Sequence, residues 1–159
     1  MICCPKESLP DINEPLVIVG GNCLITGFDI DGEDRYWTMS GDNVQSLSFL
    51  DYDQDGVDEL VAGSDDFQIR VFKGEEIVKE IQEKQKVIIL ERISEQLLGY
   101  SLSNGAYGVY NMGKRLWKSR SKDLVTAMCG ANEDVFGDKQ KVLVIGFESG
   151  QIEVRKHLG

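Results

Sequence analysis

Short runs in which apolar residues alternate with polar ones, divided by glycine-rich polar turns, fill this chain from Pro15 onward. Leu16–Val19 is apolar and ends at Gly20-Gly21, and Leu24–Phe28 follows as its partner. Asp31-Gly32 marks a turn, Arg35–Met39 a third run, Ser40–Asn43 a loop and Val44–Leu50 a fourth run. Period-two alternation bounded by Gly, Asn, Asp and Ser predicts strands joined by tight turns. The stretch Asp51–Phe72 organises the rest. An acidic loop closed by Gly56 precedes an apolar run, Leu60–Ala62, then Gly63, a polar turn, and Ile69, Val71 and Phe72. The glycine, turn and strand return in Gly146–Val154, where Gln151-Ile152-x-Val154 repeats Gln68-Ile69-x-Val71.

The hairpin glycines or their equivalents fall at Gly20, Gly63, Ser101 and Gly146, at intervals of about 40 residues, the size of a propeller blade. Asn104-Gly105 supplies the turn of the third copy, a strong hairpin signal. Arg35-x-Trp37 and Arg115-x-Trp117 recur two repeats apart. The stretch Glu75–Ile93 is rich in helix formers. The repeat register instead makes Ile77–Ile81 an outer strand and Val87–Leu90 the next inner strand, and the β-branched Val87-Ile-Ile-Leu90 suits a buried strand. The prediction is therefore an all-β chain, an antiparallel meander forming a partial β-propeller of about three and a half four-stranded blades. The first repeat lacks its opening strand and the last its closing one. Residues 15–159 form the blades. Residues 1–14 hold Pro5 and Pro10, and the last of the 3 prolines, Pro15, follows directly; the segment is irregular, because proline withholds a ladder donor. Open strand edges are association-prone, so neighbouring chains or further sequence are expected to cover them; otherwise the isolated chain aggregates.

Composition narrows the function. Hydrophobic content of 42% and charged content of 28% fit a soluble globular class. A net charge of −10 disfavours nucleic acid and anionic membrane surfaces, which require a positive face. No run approaches the ~20 apolar residues of a membrane span. The N-terminus lacks the apolar core of a secretory signal, which predicts a cytosolic chain. The 4 cysteines include no C-x-x-C pair, so they read as reduced, mostly structural thiols rather than a zinc site. A single histidine, His157, stands near the C-terminus without a nucleophile–base partner, so no enzyme is expected. Gly20-Gly21-Asn22 precedes a strand rather than a helix, which leaves it without a phosphate-binding mechanism. Trp37 and Trp117 read as aromatics that pack the blades, with anchors of a protein interface as the alternative.

The chemical candidate is the acidic loop. Asp51, Asp53 and Asp55 alternate ahead of Gly56, and Glu59 follows. Oxygen ligands at alternate positions, with a glycine that lets the chain fold back, suit calcium. The position of the bidentate glutamate of an EF-hand is taken by Ala62, so the loop is the shorter D-x-D-x-D-G-x-x-[DE] form. Its side-chain ligands would be Asp51, Asp53, Asp55 and Glu59, with the Val57 carbonyl beside them. The other reading is a solvated acidic turn held by local hydrogen bonds. The corresponding loop of the last repeat, Asn132–Asp138, keeps acidity but not the spacing.

Several ordered blocks carry a family resemblance. Gly20-Gly-Asn-Cys-Leu-Ile-Thr-Gly-Phe28, Trp37-Thr-x-x-Gly41-Asp-Asn-Val44, Asp51-x-Asp53-x-Asp55-Gly56, Glu59-Leu60-x-x-Gly63-Ser-x-Asp66-Phe67-x-Ile69-Arg-Val-Phe72 and Ser101-Leu-Ser-Asn-Gly105-x-x-Gly108-Val-Tyr110 resemble the N-terminal β-propeller of the Bardet–Biedl syndrome 2 family, from about Pro15 to Arg155. The resemblance implies a non-enzymatic scaffold subunit of the BBSome that serves ciliary membrane-protein trafficking. It implies other BBSome subunits as partners and a location in the cytoplasm, the cilium and its basal body. A calcium-stabilised, integrin-like propeller repeat acting in adhesion or recognition is the alternative.

Overall fold

A computed structural model describes residues 2–4, 9, 14–131 and 141–156. Among them are fifteen strands and no helix. The strands form four sheets, in each of which consecutive strands pair antiparallel. The first sheet comprises β1 (Ile2–Cys4), β2 (Leu16–Gly20), β3 (Leu24–Phe28) and β4 (Asp34–Met39). The second comprises β5 (Val44–Leu50), β6 (Glu59–Ser64), β7 (Gln68–Lys73) and β8 (Glu76–Gln82). The third comprises β9 (Val87–Arg92), β10 (Leu97–Leu102), β11 (Ala106–Asn111) and β12 (Lys114–Arg120). The fourth comprises β13 (Val125–Ala131), β14 (Val142–Phe147) and β15 (Ile152–Arg155).

The stretch with helical composition is two strands, β8 and β9, as the register requires. One expectation needs correction. Within residues 1–14, read as irregular, Ile2–Cys4 is a strand whose partners are Ile18, Val17 and Leu16. The first repeat therefore has its opening strand. The strand ends before Pro5, so no proline interrupts its ladder.

The first strands of successive sheets lie side by side: β1 contacts β5, β5 contacts β9, and β9 contacts β13. The core is divided among the seams between sheets. Alternate residues of one strand serve different seams. Leu60 and Ala62 of β6 join Leu16, Ile18, Ile25 and Tyr36 of the first sheet. Val61, between them, packs with Val87, Leu90 and Tyr100 of the third. β6 is covered on both faces, so every one of its residues is buried, and its middle, Leu60–Ala62, is a continuous apolar run. A third cluster joins Tyr107 and Val109 to Val125, Leu143, Ile145 and Phe147 of the fourth sheet.

The turns follow local chemistry. Between β7 and β8 the loop is Gly74-Glu75, with positive φ at the glycine, the arrangement of a type II′ hairpin. Between β11 and β12, Met112 and Gly113 both have positive φ, as type I′ demands. Gly63 pairs with Ile69 and Gly146 with Ile152, so the repeated glycines occupy equivalent places.

Candidate functional site

The acidic loop joins β5 to β6. Gln54 and Gly56 adopt positive φ, 63° and 87°, and fold the loop back on itself. The carboxylates then brace its backbone. Asp51 Oδ2 accepts from the Gly56 amide at 3.2 Å, Asp53 Oδ1 from Asp55 at 3.2 Å, and Asp55 Oδ1 from Val57 at 2.8 Å. Glu59, only 2% exposed, accepts from the Tyr52 amide at 2.8 Å.

One carboxylate oxygen from each of Asp51, Asp53 and Glu59 lies within 4.8 Å of the others. Asp51 Oδ1 is buried and accepts no hydrogen bond. Asp55 stands outside this set. A cation of the chain itself reaches in from β7: the Lys73 ammonium contacts Asp53, lies 2.7 Å from Asp55 Oδ2 and 3.7 Å from Glu59 Oε1. The contact with Lys73 and the Val57 amide hold Asp55 below the usual carboxylate range. Hydrogen bonds that Lys73 donates to Asp53 and Asp55 raise the lysine. Burial pushes Glu59 up; the Tyr52 amide opposes this, while the neighbouring Asp53 charge adds to it. Three oxygens with a buried unpartnered acceptor fit a hard cation, and Lys73 already supplies part of the counter-charge. Both readings of the loop, ligand set and self-braced acidic turn, thus have a physical basis in the same residues. Lys73 was legible in principle, since Leu60 pairs with Phe72 and the next step outward in that hairpin sets Glu59 beside Lys73. Asn132–Asp138 and His157 lie outside the described residues.

Sequence reasoning missed two charged networks. Glu83, after β8, has a fully buried carboxylate. It accepts from the Tyr110 hydroxyl at 2.6 Å, Arg115 at 2.6 Å and Lys118 at 3.2 Å. Burial pushes the Glu83 carboxyl up, but these three donors outweigh it and hold the group below the ordinary range. Burial, and then the Glu83 charge, push the Tyr110 phenol up to about 12. Arg70 of β7 donates to Ser64 at 3.0 Å and to Asp66 and Glu80 at 2.6 and 2.9 Å. The two tryptophans differ. Trp117 meets the Tyr107 ring edge-on at 6.0 Å, under the Arg155 guanidinium at 5.6 Å. Trp37 is 57% exposed and so does not pack the blades.

A family model described as "Ciliary BBSome complex subunit 2, middle region" matches residues 46–155. The BBSome complex member BBS2 of Rattus norvegicus is 45% identical over 148 residues, 93% of this chain and 20% of that protein. The human protein of the same name is 44% identical over the same shares. Caenorhabditis elegans bbs-2 is 37% identical over 87% of this chain and 19% of its own length. The chain thus spans about a fifth of these relatives. Among solved structures, BBS1N in a complex with ARL6DN superposes with a TM-score of 0.70 at 16% identity, covering 91% of this chain and 50% of that one. The WD40 β-propeller domain of Doa1 gives 0.66 at 23% identity over 89% and 47%. These two identify the fold as β-propeller. The family-model match and the 45% identity to relatives carry the assignment: the chain belongs to the BBSome complex subunit 2 family.

Proposed function

We propose that this chain is a non-enzymatic propeller module of the BBSome, working through protein–protein contacts in the trafficking of ciliary membrane proteins. Its partners are other BBSome subunits, and its place of work is the cytoplasm, the cilium and the basal body. The observation that carries this reading is the 44–45% identity to BBSome complex members over 93% of the chain. The architecture is consistent with it: stacked sheets offer broad outer faces and strand edges to a partner. Capture from a ciliated-cell lysate with the tagged chain tests it. Enrichment of BBSome subunits supports the proposal, and their absence from a capture with folded protein contradicts it.

The loop of Asp51, Asp53, Asp55 and Glu59 supports a second proposal, that it holds calcium as a structural ion. The buried unpartnered Asp51 Oδ1 beside Asp53 and Glu59 favours this reading. Calorimetric titration of the wild type against Asp53→Ala tests it. A binding heat present in the wild type and lost in the variant is expected, and identical heats remove the site. This ion does not depend on the trafficking role and would serve an adhesion-type propeller equally.

A further inference from the structure

The two tryptophans occupy equivalent outer strands, Trp37 on β4 opposite Thr26 and Trp117 on β12 opposite Val109. Their surroundings differ. The next sheet covers Trp117 with Arg155, whose guanidinium lies 5.6 Å from the ring centroid and pairs with Glu153. Trp37 has no such cover among the described residues. It lines a groove of about 570 Å³ with Met39, Ile77, Glu75 and Glu76. Met39 is 62% and Ile77 45% exposed.

The second sheet holds the acidic side of this groove in place. Thr38 Oγ1 donates to the Glu75 carbonyl and Tyr36 Oη to the Gly74 carbonyl, both at 2.8 Å. The type II′ turn is thereby pinned against β4. No cation within the described residues neutralises Glu75 or Glu76. Arg35 pairs with Asp29 and Lys73 with the acidic loop.

We propose that this groove is a docking site for an arginine-bearing extended segment of another protein. The guanidinium stacks on Trp37 and pairs with Glu75 and Glu76, while flanking apolar side chains cover Met39 and Ile77. The occupant's chemistry is read from the chain itself: Trp117, Arg155 and Glu153 show the same indole, guanidinium and carboxylate satisfied together. Charge complementarity points the same way, because two unpaired carboxylates beside an exposed indole favour a cation over the ring. Buried aromatic anchors are the usual energetic centres of such contacts.

The test uses the full chain carrying Trp117→Phe, which leaves Trp37 as the only indole of the chain's 2 tryptophans. The probe is a short peptide of alternating arginine and valine, with a glutamate–valine peptide as control. A saturable blue shift of Trp37 emission is expected with the first peptide and none with the second. The pair Glu75→Gln and Glu76→Gln should weaken binding by about tenfold. Anisotropy of the labelled arginine peptide on the otherwise wild-type chain, compared with Trp37→Ala, gives the same answer without Trp117→Phe. No saturable response, an equal response to the glutamate peptide, or affinity unchanged by the glutamine pair overturns the proposal. A blue shift that grows with protein concentration alone also overturns it, because a second copy of the chain would then cover the face.

Discussion

Gly63 faces Val87 across the seam between the second and third sheets so closely that a Cβ at position 63 would lie 2.5 Å from Val87 Cγ1. Gly20 stands in the same relation to Val44 one seam earlier, also at 2.5 Å. Each valine opens the first strand of its sheet, and the preceding sheet's glycine receives it. The repeat visible in the sequence is thus a repeat of packing between blades as well as of hairpins. At the equivalent Gly146 the nearest atom to an added Cβ is 3.7 Å away, an ordinary contact.

Gly63→Ala is therefore expected to destabilise the chain by about 1–3 kcal/mol, since Val87 is fully buried and stiff and cannot swing aside. Gly146→Ala should change stability by no more than about 0.5 kcal/mol. Urea unfolding of the two variants measures the contrast. Equal effects would mean that the seam is not packed as described.

Glu83 ties the end of the second sheet to Tyr110 and Arg115 of the third. Glu83→Gln should cost about 2 kcal/mol at neutral pH, as charge-assisted hydrogen bonds in a buried place are lost. The folded carboxyl titrates below its ordinary value of 4.5. Its contribution is therefore complete above that value and is lost as pH falls through the lower folded value. Unfolding curves from neutral pH down past 4.5 should show the gap between wild type and Glu83→Gln closing. A gap constant over that range contradicts the network.

Lys73 and a divalent cation would answer the same carboxylates. Lys73→Met should lower the melting temperature without calcium and gain more from added calcium than the wild type does. Glu59 carries the opposite sign of pH dependence. Its folded value is raised, first by burial, so its ionisation opposes folding, and stability attributable to it grows as pH falls through that value. Glu59→Gln is accordingly expected to be neutral or stabilising without calcium and to abolish the calcium response. A calcium response equal in wild type, Lys73→Met and Glu59→Gln places the ion elsewhere.

Much of the fold was legible because propeller hairpins are local. Gly63, the polar turn and Ile69 lie within a few residues of one another, and their chemistry recurs at Gly146 and Ile152. Helix propensity in Glu75–Ile93 misleads, since Ile81 and Val87 gain more from burial in the seam than helix propensity offers. The strand Ile2–Cys4 was not legible. Its partner begins at Leu16, beyond a proline-punctuated stretch that carries no period. In the acidic loop the four carboxylates could be read from their spacing, but not their division. Asp51, Asp53 and Glu59 converge while Asp55 stands outside them, and Lys73, placed by strand pairing across a hairpin, reaches both Asp53 and Asp55. Trp37 and Trp117 look identical in sequence, yet one is covered and the other is open, because cover comes from the following sheet.

Amide hydrogen exchange on the intact chain tests the blade register most directly. Amides of β6 and β10, paired on both sides within their sheets, should exchange roughly 100-fold more slowly than those of β8, an exposed last strand paired only with β7. Uniformly strong protection running unbroken through Glu75–Ile93, including the Gly74-Glu75 turn and the link between β8 and β9, would contradict a blade boundary there and with it the account of this chain as stacked propeller blades.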